Sequence, residues 1–474
     1  MKNITEYLRE KYAPWGWMGQ RAHDALGINA LLPLDFIISC DYGIELKHYF
    51  REEDVFSVEK QCKIRQDWSN EHLKQSFSNN LGKDILKRWN SYKKRVNLLC
   101  YRSIDVLEGN VDELDIPPRI YGVPERLKTF FDNKNLLYQK LPELSLPRIP
   151  GKIIVPEKFN FNYLRSELSL PFVVQFPYGS SGHFTFIIRN EREYLDIQKK
   201  YPDSLAVIRR YIDGFSLNVN AVIISTEKGS KTVCSFPSVQ ITGVPECSNF
   251  SSAFCGNDFS AAKTLNKSIL KEVKTQTEIV GNWMGTSGYR GIFGMDFVVK
   301  NETVYPVEIN PRFQNSTSLF TALNAGKNDN DDHLFLLHIA EFLQKEDVYM
   351  RKYIENFEFE KLMNPLDGAQ IILHNRMDRT IVGREVVPGA YFFGEKGLCL
   401  ITEGVSFSAG QKKEEIILTS GVPGKGIGLE PNASICKIQV QTSVLNPDYK
   451  KNLSDEMKEI VLDVYGMFEL SPSA

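Results

Sequence analysis

The chain has 474 residues, 42% of them hydrophobic and 24% charged, with a formal net charge of −2. That length predicts three or four modules rather than one core, and the near-neutral balance argues against a dedicated nucleic-acid binder, whose phosphate-tracking surface leaves a basic excess. No window approaches the ~18 apolar residues of a membrane span, and eight scattered cysteines without a CxxC or Cys/His cluster suit reduced thiols better than disulfides or zinc.

The N-terminal MKNITEYLREKY is charged and lacks the apolar stretch of a signal peptide, so a cytoplasmic location is expected. Residues 1–125 mix helical patterns with short apolar runs. Residues 30–39, interrupted by Pro33, and residues 96–101 read as buried strands. The basic run from Lys87 to Arg95 carries Ile85, Leu86, Trp89 and Tyr92 at helical spacing and reads as an amphipathic helix with a basic outer face. Helix followed by buried strand predicts an α/β layer on a parallel sheet, and Pro117, Pro118 and Pro124 mark its end.

Residues 126–345 read as α+β, divided near 205. A helix over 125–141 leads to a strand at 172–176, a Gly/Ser loop and a strand at 185–189. A helix over 191–200 and strands at 206–211 and 217–224 follow. A long helix over 260–284 precedes a strand pair at 295–300 and 304–309. Residues 366–474 are β-rich and glycine-containing, closing with an amphipathic helix over 453–465. The expected fold class is therefore α/β and α+β: an N-terminal α/β domain, a two-part core and a β-rich C-terminal domain.

The most informative segment is 291–319, GIFGMDFVVKNETVYPVEINPRFQNSTSL, in which two apolar strands each carry one carboxylate. A carboxylate in an apolar strand is costly to bury without a positive partner. A three-residue loop of Asn301, Glu302 and Thr303 sets Asp296 opposite Glu308, whereas a two-residue loop sends them to opposite faces. Glu308 and Asn310 share a face in either case. Two carboxylates and an amide oxygen are hard ligands suited to Mg²⁺, and Arg312, further along that face, suits a phosphate or substrate carboxylate. The plainer reading, an acidic edge facing solvent, sits poorly with the alternating Met295, Phe297, Val307 and Ile309. In 171–189, PFVVQFPYGSSGHFTFIIR, a buried strand ends in Gly179, Ser180, Ser181 and Gly182, whose small side chains let backbone N–H groups approach an anion. Residues 205–219 read as a further hairpin through Asp213 and Gly214.

Together these three segments, in this order, resemble the ATP-grasp superfamily over residues 126–345. Asp296 with the run Glu308, Ile309, Asn310, Pro311 and Arg312 is similar to that family's final metal-binding hairpin. The resemblance implies ATP held between two α+β parts, with two Mg²⁺ ions (Mn²⁺ being able to substitute) held by Glu308, Asp296 and Asn310. It implies a mobile loop at Gly179, Ser180, Ser181 and Gly182, adenine contacts from the backbone of Arg210, Tyr211 and Ile212, and a phosphate contact from Lys134. Gln175 stands where the family has lysine, and Arg209 and Ser216 where it has glutamates. Glutamine at that position resembles peptide ligases of secondary metabolism. The implied reaction activates a small-molecule carboxylate as an acyl phosphate and passes it to an amine, an amino acid or peptide being expected. Arg312 and Arg290 are the candidates for gripping the carboxylate or γ-phosphate, His183 is a lesser phosphate candidate, and residues 245–258 offer a second flap or a plain loop. Neither nucleic acid nor membrane is an expected partner, and a homodimer is compatible with the sequence.

Overall fold

Continuous apolar runs, not alternating ones, set the N-terminal layer, because strands covered on both faces have no polar side. In the computed structural model, which describes residues 3–77, 79–103, 107, 114–179, 184–325, 332–405, 407, 411–447 and 451–473, this layer is a parallel five-stranded sheet. Its order is Val55–Ser57, Phe36–Ser39, Trp15–Gly19, Asn97–Ser103, Arg119–Val123. Helices Asn70–Phe77 and Asn80–Ser91 cover one face through Leu73, Phe77, Leu81, Ile85 and Trp89, as the helical spacing of the basic run predicts. Trp15, Trp17, Leu99 and Tyr101 face the main core on the other side. Residues 30–39 are not one strand: helix Leu26–Leu31 stops before Pro33 and the strand starts at Phe36, since proline donates no backbone hydrogen bond. Chain order reverses at Trp15–Gly19, leaving a crevice at the carboxyl ends of that strand and Asn97–Ser103, the place where open parallel sheets bind ligands.

A second, antiparallel sheet of four strands is ordered Gly151–Ile154, Ala206–Arg210, Phe172–Gln175, Thr185–Ile188. With helices Phe161–Leu168 and Glu191–Lys200 it encloses its own core of Phe161, Phe172, Val174, Tyr194 and Ile208. The expected helix over 125–141 is two, Glu125–Asp132 and Lys134–Lys140. Asn133 divides them by leaving helical geometry and accepting the Asn135 and Leu136 amides, a side-chain cap in mid-run. Phe131 and Leu137 pack into the main core rather than into this sheet.

The third layer is one antiparallel sheet of eleven strands. It begins at the hairpin of Gly291–Lys300 and Thr303–Asn310, continues through Phe215–Thr226, Ser238–Thr242 and Phe254–Asp258, and crosses into Ala369–His374 and the C-terminal strands. The β-rich tail therefore extends the core sheet, through the pairing of Gly256, Asn257 and Asp258 with Ile371, Gln370 and Ala369. Asp258 fastens the junction: one oxygen caps helix Phe259–Ala262, and the other accepts from Ser443 Oγ and the Val444 amide. The expected helix over 260–284 is this short helix and the longer Lys267–Thr286. The closing helix, Asp455–Met467, buries Met457, Ile460, Val461 and Val464 as its spacing predicts. Among the described residues no helix is long and apolar enough to cross a membrane.

The hairpin turn is two residues, with Lys300 opposite Thr303, and not the three residues that would align the carboxylates in a regular ladder. A bulge restores the alignment. Phe297 opposes Pro306, the register then shifts, and Asp296 opposes Glu308, so Val307 is the extra residue. Both turn residues are left-handed, Asn301 at φ 48° and Glu302 at φ 64°. That suits a tight hairpin but costs a non-glycine residue about 1 kcal/mol. Glu302→Gly is expected to raise unfolding stability by about 0.5–1 kcal/mol, read from the urea midpoint. An unchanged or lower midpoint would show that the exposed bonds from Asn266 and Ser268 to Glu302 outweigh the backbone term.

Candidate active site

The bulged hairpin forms the floor of a cleft beneath the four-stranded sheet, with a cavity of about 350 Å³. Asp296 Oδ1 accepts from Asn218 Nδ2 at 2.6 Å and Oδ2 from Asn310 Nδ2 at 3.1 Å. Glu308 Oε1 lies 3.1 Å from Lys134 Nζ, and the same ammonium donates to the Gly179 carbonyl at 3.0 Å. Burial pushes both carboxyls above their usual range, and for Glu308 the proximity of Asp296 adds to the effect while Lys134 opposes it. Two half-buried carboxylates facing one another beside a single lysine form a site that a dication would relieve, and an amide oxygen, Asn310 Oδ1, lies on the same strand face. No cluster of three or more His, Cys, Asp or Glu side chains with metal-binding geometry occurs among the described residues.

The roof supplies the opposite charge. Arg209 is buried against the cleft and donates to Gln175 Oε1 at 2.8 Å, a neutral acceptor, while Gln175 Nε2 donates to Thr185 Oγ1 at 3.2 Å. Burial lowers the Arg209 guanidinium to about 10, still fully charged at neutral pH. Arg210, Tyr211 and Ile212 line the cleft edge, with the Arg210 amide donating to the Pro150 carbonyl at 2.9 Å. Beyond the hairpin the cleft opens into a second cavity of about 620 Å³, and the two share Thr185, Ile187, Ser251, Ser252, Arg312 and Asn315. Arg312 stands at the junction, donating to Asn310 Oδ1 at 2.8 Å and to Tyr101 Oη at 3.2 Å.

A family profile of the ATP-grasp domain matches residues 131–316, which hold every residue lining this cleft except Lys451. The chain carries an ATP-grasp domain. The carbamoyl phosphate synthase large chain of Methanoculleus marisnigri is 22% identical over 237 residues, a stretch that covers 48% of this chain and 21% of that protein, so the chain spans about a fifth of the length of that relative. Two solved structures share the fold at 12% identity. The biotin carboxylase domain of Hydrogenobacter thermophilus 2-oxoglutarate carboxylase, solved with MgADP and bicarbonate, superposes with a TM-score of 0.55 over 91% of this chain and 86% of that one. The N5-carboxyaminoimidazole ribonucleotide synthetase of Thermus thermophilus superposes with a TM-score of 0.53 over 97% and 100%.

Within the ATP-grasp domain the structure gathers Lys134, Gln175, Gly179, Arg210, Tyr211, Ile212, Asp296, Glu308, Asn310 and Arg312 around the cleft. Ser180, Ser181 and Gly182, with His183, lie outside the described residues. Arg290 is a correction. It lines neither cavity, donating instead to the Gly285 and Tyr289 carbonyls at 2.7 and 2.6 Å and to Ser225 Oγ at 2.8 Å, with Glu341 at 3.7 Å. It satisfies the carbonyl end of helix Lys267–Thr286, a structural duty. His338, lowered to about 4 by burial, accepts the Ile292 amide, and His333 is likewise lowered to about 4 by burial; neither lines the cleft or the larger cavity. His374 stands on the wall of the larger cavity. Residues 245–258 divide in function: Phe254–Asp258 is a sheet strand, while Phe250, Ser251 and Ser252 reach over the cavity junction. The sequence reading missed Asn218, Gln240, Gln314 and Ser316, a polar layer under Asp296. Its one signal was Asn218 and Asn220 alternating inside an otherwise apolar strand.

Proposed function

We propose that this protein is an ATP-dependent carboxylate–amine ligase that forms an amide or peptide bond through an acyl phosphate. The observation that carries this reading is the direct pairing of Asp296 with Glu308 on the floor of a cleft that opens, past Arg312, into a larger chamber. A phosphoryl donor beside the paired carboxylates and an acceptor in the chamber can then meet without crossing solvent. MgATP, when bound, supplies the phosphoryl group and the charge neutralisation for its transfer. Asp296, Glu308 and Asn310 hold the metal, and Lys134 and Arg209 face the phosphates. The rim at Arg210, Tyr211 and Ile212 takes the base. Arg209 also answers the loss of lysine at Gln175: the cleft keeps its cation, moved from one strand to the next and anchored on the glutamine itself. Arg312 orients the attacking carboxylate at the junction, and Ser251 and Ser252 help exclude the water that would hydrolyse the mixed anhydride. Residues 1–125 and 366–474 serve as the acceptor-side domains, with an amino acid or small peptide as the amine.

Release of ADP from MgATP that depends on both an acid and an amine tests the reading. ADP release with the acid alone marks a phosphotransferase, and none with any pair marks a nucleotide-binding protein without catalysis.

The raised carboxyls carry a pH signature. A protonated carboxyl holds no cation, and both groups keep their protons to higher pH than ordinary carboxylates, so Mg²⁺ affinity grows as pH rises through this shifted range. Titration of the ADP complex with Mg²⁺ over a pH series is expected to show binding that weakens on acidification, and that begins to do so at a higher pH than ordinary carboxylates would give. A flat profile would count against these two groups as the ligands.

A further inference from the structure

The larger chamber lies over the crevice at the carboxyl ends of the parallel strands, and three guanidiniums gather at one corner of it, while Asp41, Asp67, Glu193, Asp196 and Lys200 also line it. Arg21 follows strand Trp15–Gly19, Arg102 lies near the end of Asn97–Ser103, and Arg312 follows the hairpin, so three remote segments bring guanidiniums to the chamber wall, two of them onto Tyr101. The Tyr101 hydroxyl accepts from Arg21 at 2.8 Å and from Arg312 at 3.2 Å, and both guanidiniums lie within 6 Å of its ring, at 5.4 and 5.7 Å. Arg21 has a carboxylate, Asp24, at 3.0 Å, but Asp24 is shared with the buried Lys437 at 3.6 Å. Arg102 has neither hydrogen bond nor ion pair among the described residues, and its Nε is buried without a partner. Burial and the neighbouring Arg312 lower it to about 10, which leaves it charged at neutral pH. A half-buried guanidinium whose Nε is buried without a partner, close to two other guanidiniums, favours an anion that can receive its N–H groups.

The rest of the lining differs in kind. Trp68, Phe184, Phe186, Ile188, Tyr201 and Phe250 present apolar surface, bordered by Glu193, Asp196 and Lys200 of helix Glu191–Lys200, and Phe184 and Phe250 remain 41% and 48% exposed. Phe184 and Phe186 each sit 5.7 Å from Tyr201, forming an aromatic wall on the four-stranded sheet. A bicarbonate ion, a few times the ~30 Å³ of a water, would leave most of the chamber's roughly 620 Å³ empty. The volume is that of a site for a ligand of some twenty heavy atoms, on the order of a drug-sized molecule.

We infer that the chamber binds a carboxylic acid with an extended apolar body, whose carboxylate is received by Arg102 and Arg21 beside Arg312 and whose body lies on the wall of Phe184, Phe186, Tyr201 and Phe250. This rests on the ligase reading for what happens to the acid but not for whether it binds. Arg21 and Arg102 are positioning residues for the carboxylate, and the aromatic wall selects aryl or long alkyl acids over acetate and bicarbonate.

Isothermal titration of the full chain with 3-phenylpropanoate, acetate and bicarbonate, and separately with MgADP, tests this. The expected result is binding of 3-phenylpropanoate well above the other two anions. Arg102→Ala should weaken it roughly 10- to 100-fold, as loss of a charged hydrogen bond does, with Arg102→Lys recovering part and MgADP affinity unchanged in both. Phe250→Ala should weaken the aryl acid and leave acetate unaffected. No binding of the aryl acid to the unaltered chain, equal binding in Arg102→Ala, or a loss confined to MgADP would each overturn the inference. Circular dichroism of each variant identifies misfolding, in which case Arg102→Lys and Phe250→Ala decide the outcome. Trapping with hydroxylamine separates the two readings. Hydroxamate formed from acetate but not from the aryl acid would sink the acid site and leave the ligase, whereas aryl-acid binding without any ADP release would do the reverse.

Discussion

Replacing Glu308 with glutamine should lower turnover by roughly 10³-fold, about 4 kcal/mol of transition-state stabilisation, with Asp296→Asn close behind. The side chains keep their size, but an amide at position 296 can accept from only one of Asn218 and Asn310, so Glu308→Gln isolates charge the more cleanly. Glu308 is the larger effect because it stands 3.1 Å from Lys134 and directly opposite Asp296, at the centre of the charged floor. Neutralising it also leaves Lys134, 3% exposed, with only the Gly179 carbonyl among the described residues. The measurement is ADP release at saturating acid and amine over a Mg²⁺ series. The metal dependence should shift to higher concentration in both variants, and the two effects should not add, since both groups serve one ion. Full activity in Glu308→Gln would remove the metal site from the hairpin and with it the basis for the ligase reading.

Arg312→Ala is expected to lower turnover by about 10²-fold or more while nucleotide affinity changes less than about threefold. Arg312 lines both the cleft and the chamber and bonds Asn310 and Tyr101, so it bridges donor and acceptor rather than belonging to either. Arg312→Lys should recover little, because an ammonium cannot span both contacts. Equal losses in turnover and in MgADP affinity would make Arg312 a nucleotide ligand instead. An unchanged turnover would leave the junction to Asn315 and the serines of the overlying loop.

The hairpin was legible because burial leaves its mark on composition: Met295, Phe297, Ile309 and their neighbours alternate with carboxylates that only a cation makes tolerable. The turn length was not, since Asn301, Glu302 and Thr303 suit loops of either size. The bulge had one local sign, Pro306, which donates nothing to a ladder and is tolerated on an edge strand beside an irregularity, which is its place here. The continuous sheet was illegible for a different reason. Asn257 and Asp258 make the strand Phe254–Asp258 read as a loop, and only its partner Ala369–His374, remote in sequence, supplies the pairing that overrides that composition. The arginine corner is likewise a product of topology: Arg21, Arg102 and Arg312 lie in three segments with no shared motif. Arg290 misled because a basic residue just before a β-strand looks the same whether it faces a ligand or closes a helix end.

The extra residue at Val307 has a bearing on how such sites are recognised in other chains. Across a regular two-residue turn, facing positions are separated by an odd count along the chain, as Val299 and Val304 are. Asp296 and Glu308 stand an even count apart and still face one another. Parity is thus a diagnostic: two side chains that act together at even spacing around so tight a turn require an irregularity between them. A search template that fixes the interval without allowing for it would reject genuine kin whose ladder is unbroken and whose interval is one shorter.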